Sequence, residues 1–282
     1  MLKTKHKILL ARGLQVMVMA FRKAFCFGPI TTVIRKGLHW QLDLREGIDF
    51  SIWLLGCFEP ETVHCYSRII KRGDTVLDIG ANIGAHTLPI GQLVGKEGRV
   101  IAFEPTDYAF SKLRKNVAAN PDLANHVDVH QLMLVDKIDG VPPPPLYSSW
   151  PLAQEDGLHA EHQGKLMSTN GARATTLDAA LDALAPARVD CIKLDIDGFE
   201  CQMLRGARKT LSQWHPVIVM ELAPYVLEEH GSSVEELLGI LVEHGYSISS
   251  LDGNSRLPTD PREIRRMIPE GASLNVLATV RL

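Results

Sequence analysis

The chain has 282 residues, 45% of them apolar and 22% charged, with a formal net charge of −3. That composition builds a packed core rather than a disordered coil, and a mildly acidic chain lacks the electrostatic footprint for a polyanion, which sets nucleic acid aside as a partner. The five scattered cysteines form no C-x-x-C pair and suit free thiols in a reducing, cytoplasmic setting, and no apolar run reaches the ~18 residues of a membrane span.

At the start of the chain Lys3, Lys5 and Lys7 precede an apolar segment from Ile8 to Phe21. Arg12 and Gln15 interrupt it, Arg22 and Lys23 follow, and no small-residue cleavage site is evident, so it does not read as a signal peptide. Leu10, Leu14, Met17, Val18 and Phe21 recur at helical spacing and predict an amphipathic helix. Two readings stand: the helix packs on the body of the protein, or residues 5–25 lie on a membrane surface as a peripheral contact. From Thr31 to Trp53 the pattern is strand-like, with Lys36-Gly37 as a turn. Residues 1–55 are thus expected to form a helix and β extension ahead of a main domain at 56–282. A helix over Glu61–Ile70 should end at Lys71-Arg72-Gly73.

Strands and helices then alternate. Strands are expected at Val76–Ile79, Val100–Phe103, Val127–Leu134, Asp190–Leu194, Val217–Glu221, Tyr246–Ser250 and Ser273–Val280. Helices are expected at Ala85–Val94 and Asp107–Asn120, after Asp195 with Leu204, Ala207 and Leu211 inward, and after Ser232/Ser233, where capping-box patterns precede Leu237 and Leu241. Such alternation implies a largely parallel sheet with helices on both faces. The segment 136–176, with Pro142–Pro145, Tyr147 and Trp150, breaks the pattern as a long insertion suited to an acceptor-side loop.

The densest signal is Val76-Leu77-Asp78-Ile79-Gly80-Ala81-Asn82-Ile83-Gly84. A glycine directly after a buried strand allows a tight turn and close approach to a ligand, and a following helix offers N–H groups to an anion. Asp78 is placed to accept from an ammonium, while Gly80, Ala81, Asn82 and Gly84 form the cradle. Glu104, twenty-four positions after Gly80 and at the end of the next strand, is placed to accept from ribose hydroxyls. A nicotinamide dehydrogenase shares that acidic position. It needs a glycine where Asn82 stands, however, and Asp78 would repel a diphosphate, so dinucleotide binding is disfavoured.

Gly73 through Gly84, Glu104-Pro105, Thr176-Leu177-Asp178, Ile192-Lys193-Leu194-Asp195-Ile196-Asp197-Gly198-Phe199-Glu200 and Leu204-Arg205-Gly206-Ala207 together resemble the FkbM-type methyltransferases over roughly residues 56–223. The resemblance implies an α/β class I methyltransferase (Rossmann-like) fold with a seven-stranded, mostly parallel sheet. It also implies S-adenosylmethionine as cofactor and methylation of a hydroxyl oxygen on a natural product, glycolipid, polysaccharide or other small or carbohydrate acceptor. Asp197 stands where glutamate is more usual and Phe199 where a small residue is common, departures that bear on the acceptor side.

An aliphatic hydroxyl must lose its proton during attack, so a base is expected at the carboxyl ends of the strands. Asp195 is the first candidate, matching the family's acidic block, and it also borders the cofactor; Glu221 and His86 are the others. Glu200 should face the first turn of its helix. Tyr147 and Trp150 suit stacking on a ring-shaped acceptor or pinning the insertion to the sheet, and Asp197 completes the substrate side. His159 and His162 lie in the insertion, and Glu59 resembles a family position near the site's mouth. A divalent cation on Asp195, Asp197 and Glu221 is a further option, though no metal is expected. The rival to an enzyme is a non-catalytic cofactor-binding protein of the same fold.

Overall fold

Alternate residues of the central strands are apolar on both sides, so each strand must be covered on both faces. In the computed structural model, which describes residues 4–152, 156–159 and 163–280, two buried clusters do this. One gathers Leu77, Ile79, Ile101, Phe103, Ile192, Leu194, Ile218 and Met220 with the later helices. The other gathers Val76, Val100, Ala102, Cys191 and Val219 with the earlier helices and the N-terminal strands.

The elements run α1 (Thr4–Ala24), β1 (Ile30–Arg35), β2 (Leu38–Asp43), α2 (Gly47–Leu55), α3 (Pro60–Ile69), β3 (Thr75–Ile79), α4 (Thr87–Val94), β4 (Arg99–Phe103), α5 (Asp107–Ala118), α6 (Pro121–Ala124) and β5 (Val127–His130). Then come β6 (Leu132–Leu134), β7 (Leu146–Ser149), β8 (Lys165–Met167), β9 (Arg173–Thr175), α7 (Leu177–Leu184), β10 (Cys191–Leu194), α8 (Glu200–Arg205) and α9 (Arg208–Trp214). The chain closes with β11 (Val217–Leu222), α10 (Pro224–Glu229), α11 (Val234–Glu243), β12 (Tyr246–Ser250), α12 (Pro261–Met267) and β13 (Leu274–Val280).

The main sheet has seven strands in the order β12-β13-β11-β10-β3-β4-β5. All pairings are parallel except those of β13, which runs against both β11 and β12. This is the seven-stranded, mostly parallel α/β sheet of the class I methyltransferase fold. Connections leave β3 toward β4 and β5, then return to β10 and β11 on the other side. The carboxyl ends of β3 and β10 therefore flank the switch point where open α/β sheets bind ligands.

Four details depart from the sequence-based expectations. Gly47–Leu55 is helical, because Ile48, Phe50 and Ile52, which alternate like a strand, sit beside the buried Asp49 on a short helix closed by Gly56 in the left-handed conformation. The expected strand Val127–Leu134 divides at Gln131, and β6 leaves the main sheet to pair with β9. The helix after Asp195 breaks at Gly206, where a Cβ would stand 2.1 Å from the Val135 carbonyl oxygen, although Leu204, Ala207 and Leu211 all point inward as expected. Finally, α1 turns its apolar stripe outward. Ala11, Val18 and Met19 pack on the core, and the buried Gln15 donates to the Leu44 carbonyl at 3.2 Å. Leu14, Met17 and Phe21 are exposed. Residues of β2 and α2 share the cluster that covers β3 and β4. The insertion folds into the antiparallel pair β7–β8. Ser233 caps α11 by accepting from the Glu236 N–H. Cys57, Cys65, Cys191 and Cys201 are buried free thiols, and Cys26 is an exposed one.

Candidate active site

The loop after β3 is shaped by protein neighbours on both sides. Gly80 has φ of +81°, and a Cβ there would stand 1.8 Å from the Asp195 carbonyl oxygen. Its glycine is thus required by the backbone leaving β10 as well as by the turn. Gly84, at φ of +94°, is buried against Leu88 and Leu113 and does not line the cavity that Gly80 and Ala81 border, so it serves helix packing rather than a cradle. Asn82 also adopts the left-handed region, φ of +48°, which asparagine tolerates because its side chain bonds locally. Its Oδ1 accepts from the Ile83 N–H.

The loop's N–H groups are already engaged. Those of Gly80 and Ala81 donate to the Phe103 carbonyl, that of Asn82 to Glu104 Oε2 at 2.9 Å, and that of Gly84 to the Ala81 carbonyl. Regular helix begins only at Thr87, with His86 as N-cap. The expected free N–H cradle for an anion at Gly80–Gly84 is therefore not what the loop presents. Glu104 has taken that role in reverse: as a buried carboxylate it holds the loop in shape. Its Oε1 accepts from the N–H and hydroxyl of Thr106 at 2.9 and 2.6 Å. Oε2 accepts one bond from the protein, and Glu104 lines the cavity, leaving lone-pair capacity for a ligand hydroxyl. Burial raises its pKa, against the pull of its hydrogen bonds.

Beneath the loop lies a charged pair. Asp78 and Lys193 are register partners on β3 and β10, with Lys193 Nζ 3.9 Å from Asp78 Oδ1 and 3.3 Å from Asp195 Oδ2. Burial works against the Lys193 charge, but Asp195, Asp78 and Glu59 outweigh it and hold the ammonium above its usual range. Asp78 is fully buried, and its pKa is raised chiefly by burial. Its Oδ2 accepts from the Thr87 hydroxyl at 2.5 Å, while Oδ1 has no hydrogen-bond partner. Asp78 does not line the cavity; it supports the loop from behind.

His86 lines the cavity but is only 3% exposed. Burial, aided by Lys193, pushes its pKa well down, so the ring is neutral. Its Nδ1 meets the Tyr66 hydroxyl at 3.3 Å, and Nε2 faces Glu59 Oε2 at 3.8 Å. Glu59 is itself held by Thr62 and Asn275 at 3.0 and 3.2 Å, and it lines the same cavity.

Asp195, Asp197 and Glu221 converge: each offers a carboxylate oxygen, and these oxygens lie within 4.8 Å of one another. Burial first, then the charge of Asp195, raises Asp197 well above the usual carboxylate range and pushes Glu221 up to about 8. The three could coordinate a divalent cation, although Lys193 already partners Asp195 at 3.3 Å. Glu200, at the first turn of α8, accepts from the N–H groups of Ile196 and Gly198 at 3.2 and 3.4 Å and so fixes the loop carrying Asp195 and Asp197.

Gly80, Ala81, Asn82, His86, Glu104, Tyr147, Trp150, Asp195, Asp197 and Glu221 all line one cavity of about 1540 Å³. Trp150 also bonds through its carbonyl to the Gly47 N–H at 2.9 Å, so it both pins the insertion and borders the cavity. Tyr147 meets the ring of His159 edge-on at 5.0 Å, while His159 pairs with Glu229 and does not line the cavity. His162 lies outside the described residues. Two participants escaped the sequence reading. Lys193 was signalled by a lysine inside an otherwise apolar strand. Ser148 of β7 had no signal; its carbonyl accepts from Asn82 Nδ2 at 3.0 Å and its hydroxyl reaches Thr106 at 2.9 Å, closing the insertion over the glycine loop.

Ligand pockets commonly span about 300–1,000 Å³, so this cavity has room for a cofactor and an acceptor together. The carboxylate acceptors at Glu104 and Glu59 suit the hydroxyl and ammonium donors of an adenosyl amino acid, and the N–H groups of Gly80 to Gly84 are engaged within the protein rather than free for a phosphate. When bound, S-adenosylmethionine supplies an electrophilic methyl group.

The FkbM methyltransferase domain matches residues 78–248 of the chain. No curated protein sequence matches it. Among solved structures, a methyltransferase FkbM from Methylobacillus flagellatus is 17% identical, with 80% of this chain and 49% of that one covered at a TM-score of 0.46. A SAM-dependent O-methyltransferase from Thermotoga maritima is 14% identical, covering 93% and 82% at 0.44. A SAM-dependent methyltransferase from Aquifex aeolicus is 16% identical, covering 83% and 95% at 0.43. The domain match spans more than half of the sequence and coincides with the sheet and loops just described, and on that ground the chain belongs to the FkbM family of S-adenosylmethionine-dependent methyltransferases.

Proposed function

We propose that this protein transfers a methyl group to a hydroxyl oxygen of a small-molecule or sugar-like acceptor. The observation that carries the reading is the meeting of Asp195 with the glycine loop in one cavity: the loop's Gly80 is built against the Asp195 carbonyl, and the Asp195 carboxylate lines the same space. Gly80, Ala81 and Asn82 line the cofactor side, Asp78 and Gly84 support that loop from behind, and Glu104 receives ribose hydroxyls.

Asp195 acts as proton acceptor. It is paired with Lys193 at 3.3 Å, whereas burial and the charge of Asp195 raise Asp197 well above the usual carboxylate range and push Glu221 up to about 8, and burial pushes the His86 pKa well down, which makes that ring a weak base. The acceptor's O–H bond breaks toward Asp195 as its oxygen forms the new bond to the methyl carbon, whose bond to sulfur breaks with the electron pair left on sulfur. Protonated Glu221 can donate to the acceptor and orient it. Positioning of this kind contributes up to ~7–11 kcal/mol in well-oriented reactions, and a placed base a further ~10²–10⁴-fold. Trp150 and Tyr147 border the acceptor side and favour a ring-shaped substrate. No metal is required in this scheme.

The test is to incubate the protein with methyl-labelled S-adenosylmethionine and panels of small glycosides, glycolipids and phenols, then identify labelled products by mass spectrometry. Label on a hydroxyl oxygen supports the reading. Label on nitrogen or carbon, or on RNA, would replace it, and cofactor binding without turnover on any panel favours the non-catalytic alternative.

A further inference from the structure

The unusual surface is the outer side of α1. Met17 and Phe21 are 64% and 63% exposed, and Leu14 lies on the same stripe, with Phe25 continuing it just past the helix end. The Phe21 and Phe25 rings lie 4.6 Å apart, so the two form one aromatic ridge. Val16 is likewise exposed, as are Phe27 and Ile30 in the segment that follows. A helix in water turns such residues inward; here the inward side carries Gln15, Ala11, Val18 and Met19 instead. An apolar patch of this extent marks an interaction site.

Charge decides what covers it. Lys3, Lys5, Lys7, Arg12, Arg22, Lys23, Arg35 and Lys36 precede the first acidic residue, Asp43. Lys5 and Lys7 stand in the first turn of α1 and Arg22 and Lys23 in its last. A second copy of the chain would meet this face through a two-fold contact, bringing like charges together in either helix direction. An anionic lipid surface satisfies both features, because basic side chains meet headgroups while aromatic and aliphatic side chains enter the acyl boundary. No helix among the described residues is long and apolar enough to cross a membrane, so the contact is peripheral.

We infer that the outer face of α1 docks on a bilayer containing anionic lipid. Ala11, one turn from Leu14 and bordering the exposed stripe, lines the cavity, so docking sets the cavity's rim beside the lipid surface. The inference is independent of the acceptor's identity, since it concerns partitioning alone.

The experiment is sedimentation of the full chain with phosphatidylcholine vesicles, with and without one quarter phosphatidylglycerol, at low and 0.5 M salt. The expected result is binding to the anionic vesicles that is weakened at least tenfold by M17E/F21E, by replacement of Lys3, Lys5 and Lys7 with glutamine, and by high salt, with unchanged circular dichroism and S-adenosylmethionine affinity. The glutamine variant leaves the apolar ridge intact and keeps the test valid if the double glutamate variant fails to fold. Absence of vesicle binding overturns the inference. So does equal binding to neutral vesicles, or a dimer in sedimentation velocity that M17E/F21E dissolves.

Discussion

Lys193 and Asp78 are register partners on adjacent parallel strands, their charged ends 3.9 Å apart and both buried, with Asp195 completing the set at 3.3 Å from the same ammonium. The ammonium sits at the switch point of the sheet and compensates two carboxylates, Asp78 behind the glycine loop and Asp195 on the cavity wall. Removing one member of such a buried set leaves uncompensated charge. Lys193→Met is expected to cost about 3–5 kcal/mol of stability. Urea unfolding measures it, and a loss below about 1 kcal/mol would show that the charges are not coupled as described.

Gly80 meets two constraints at once, a positive φ and a Cβ position 1.8 Å from the Asp195 carbonyl oxygen. Gly80→Ala must push β3 and β10 apart at their carboxyl ends. The expected outcome is loss of measurable S-adenosylmethionine binding by calorimetry, while the far ends of the strands stay folded. Retained affinity within threefold of wild type would mean that the two loops are not held against each other.

Glu104 spends most of its lone pairs on Thr106 and Asn82 and keeps capacity toward the cavity. In Glu104→Gln one acceptor becomes a donor that faces other donors. A tenfold or greater weakening of cofactor binding is expected, equivalent to about 1.4 kcal/mol. An unchanged dissociation constant would remove Glu104 from the ribose side.

Asp195→Asn keeps the shape of the side chain and removes its proton affinity. The rate of labelled methyl transfer should fall by ~10²–10⁴-fold while cofactor affinity changes far less. The same assay after exhaustive EDTA dialysis should run at the untreated rate, since Lys193 already partners Asp195. Full activity of the asparagine variant, or Mg²⁺-dependent rescue of the dialysed protein, overturns the respective part of the mechanism.

Glu200 is buried, and its pKa rises to about 7 because burial outweighs its N–H donors. A raised carboxylate stabilises the fold fully below its unfolded value near 4.5, and that contribution is lost as pH rises through about 7. Over that window one proton is worth up to ~1.4 kcal/mol per pH unit. Melting temperature of the wild type should therefore fall more steeply between pH 5 and 7.5 than that of Glu200→Gln. Parallel curves would show that Glu200 does not titrate in this range.

Much of this architecture could be read from local pattern. The alternating apolar runs located all seven strands of the main sheet. Glu104 was found from its spacing, because β3 and β4 are neighbours and a strand end fixes where its next side chain points. The residues that were missed act across long separations: Ser148 reaches Asn82 over 66 positions, and Lys193 reaches Gly80 over 113. No local period records such contacts.

By itself the sequence determined which residues share a face, where the glycines must turn, and the family to which the chain belongs. Tertiary structure alone decided which face each neighbour covers. The stripe Leu14, Met17 and Phe21 is apolar, yet Gln15, bonded to the Leu44 carbonyl, and Ala11, Val18 and Met19 face the core and leave that stripe outside. Periodicity specifies an amphipathic helix but not the hydrogen bond that orients it. That bond depends on a carbonyl 29 residues away, which only the folded chain brings beside it.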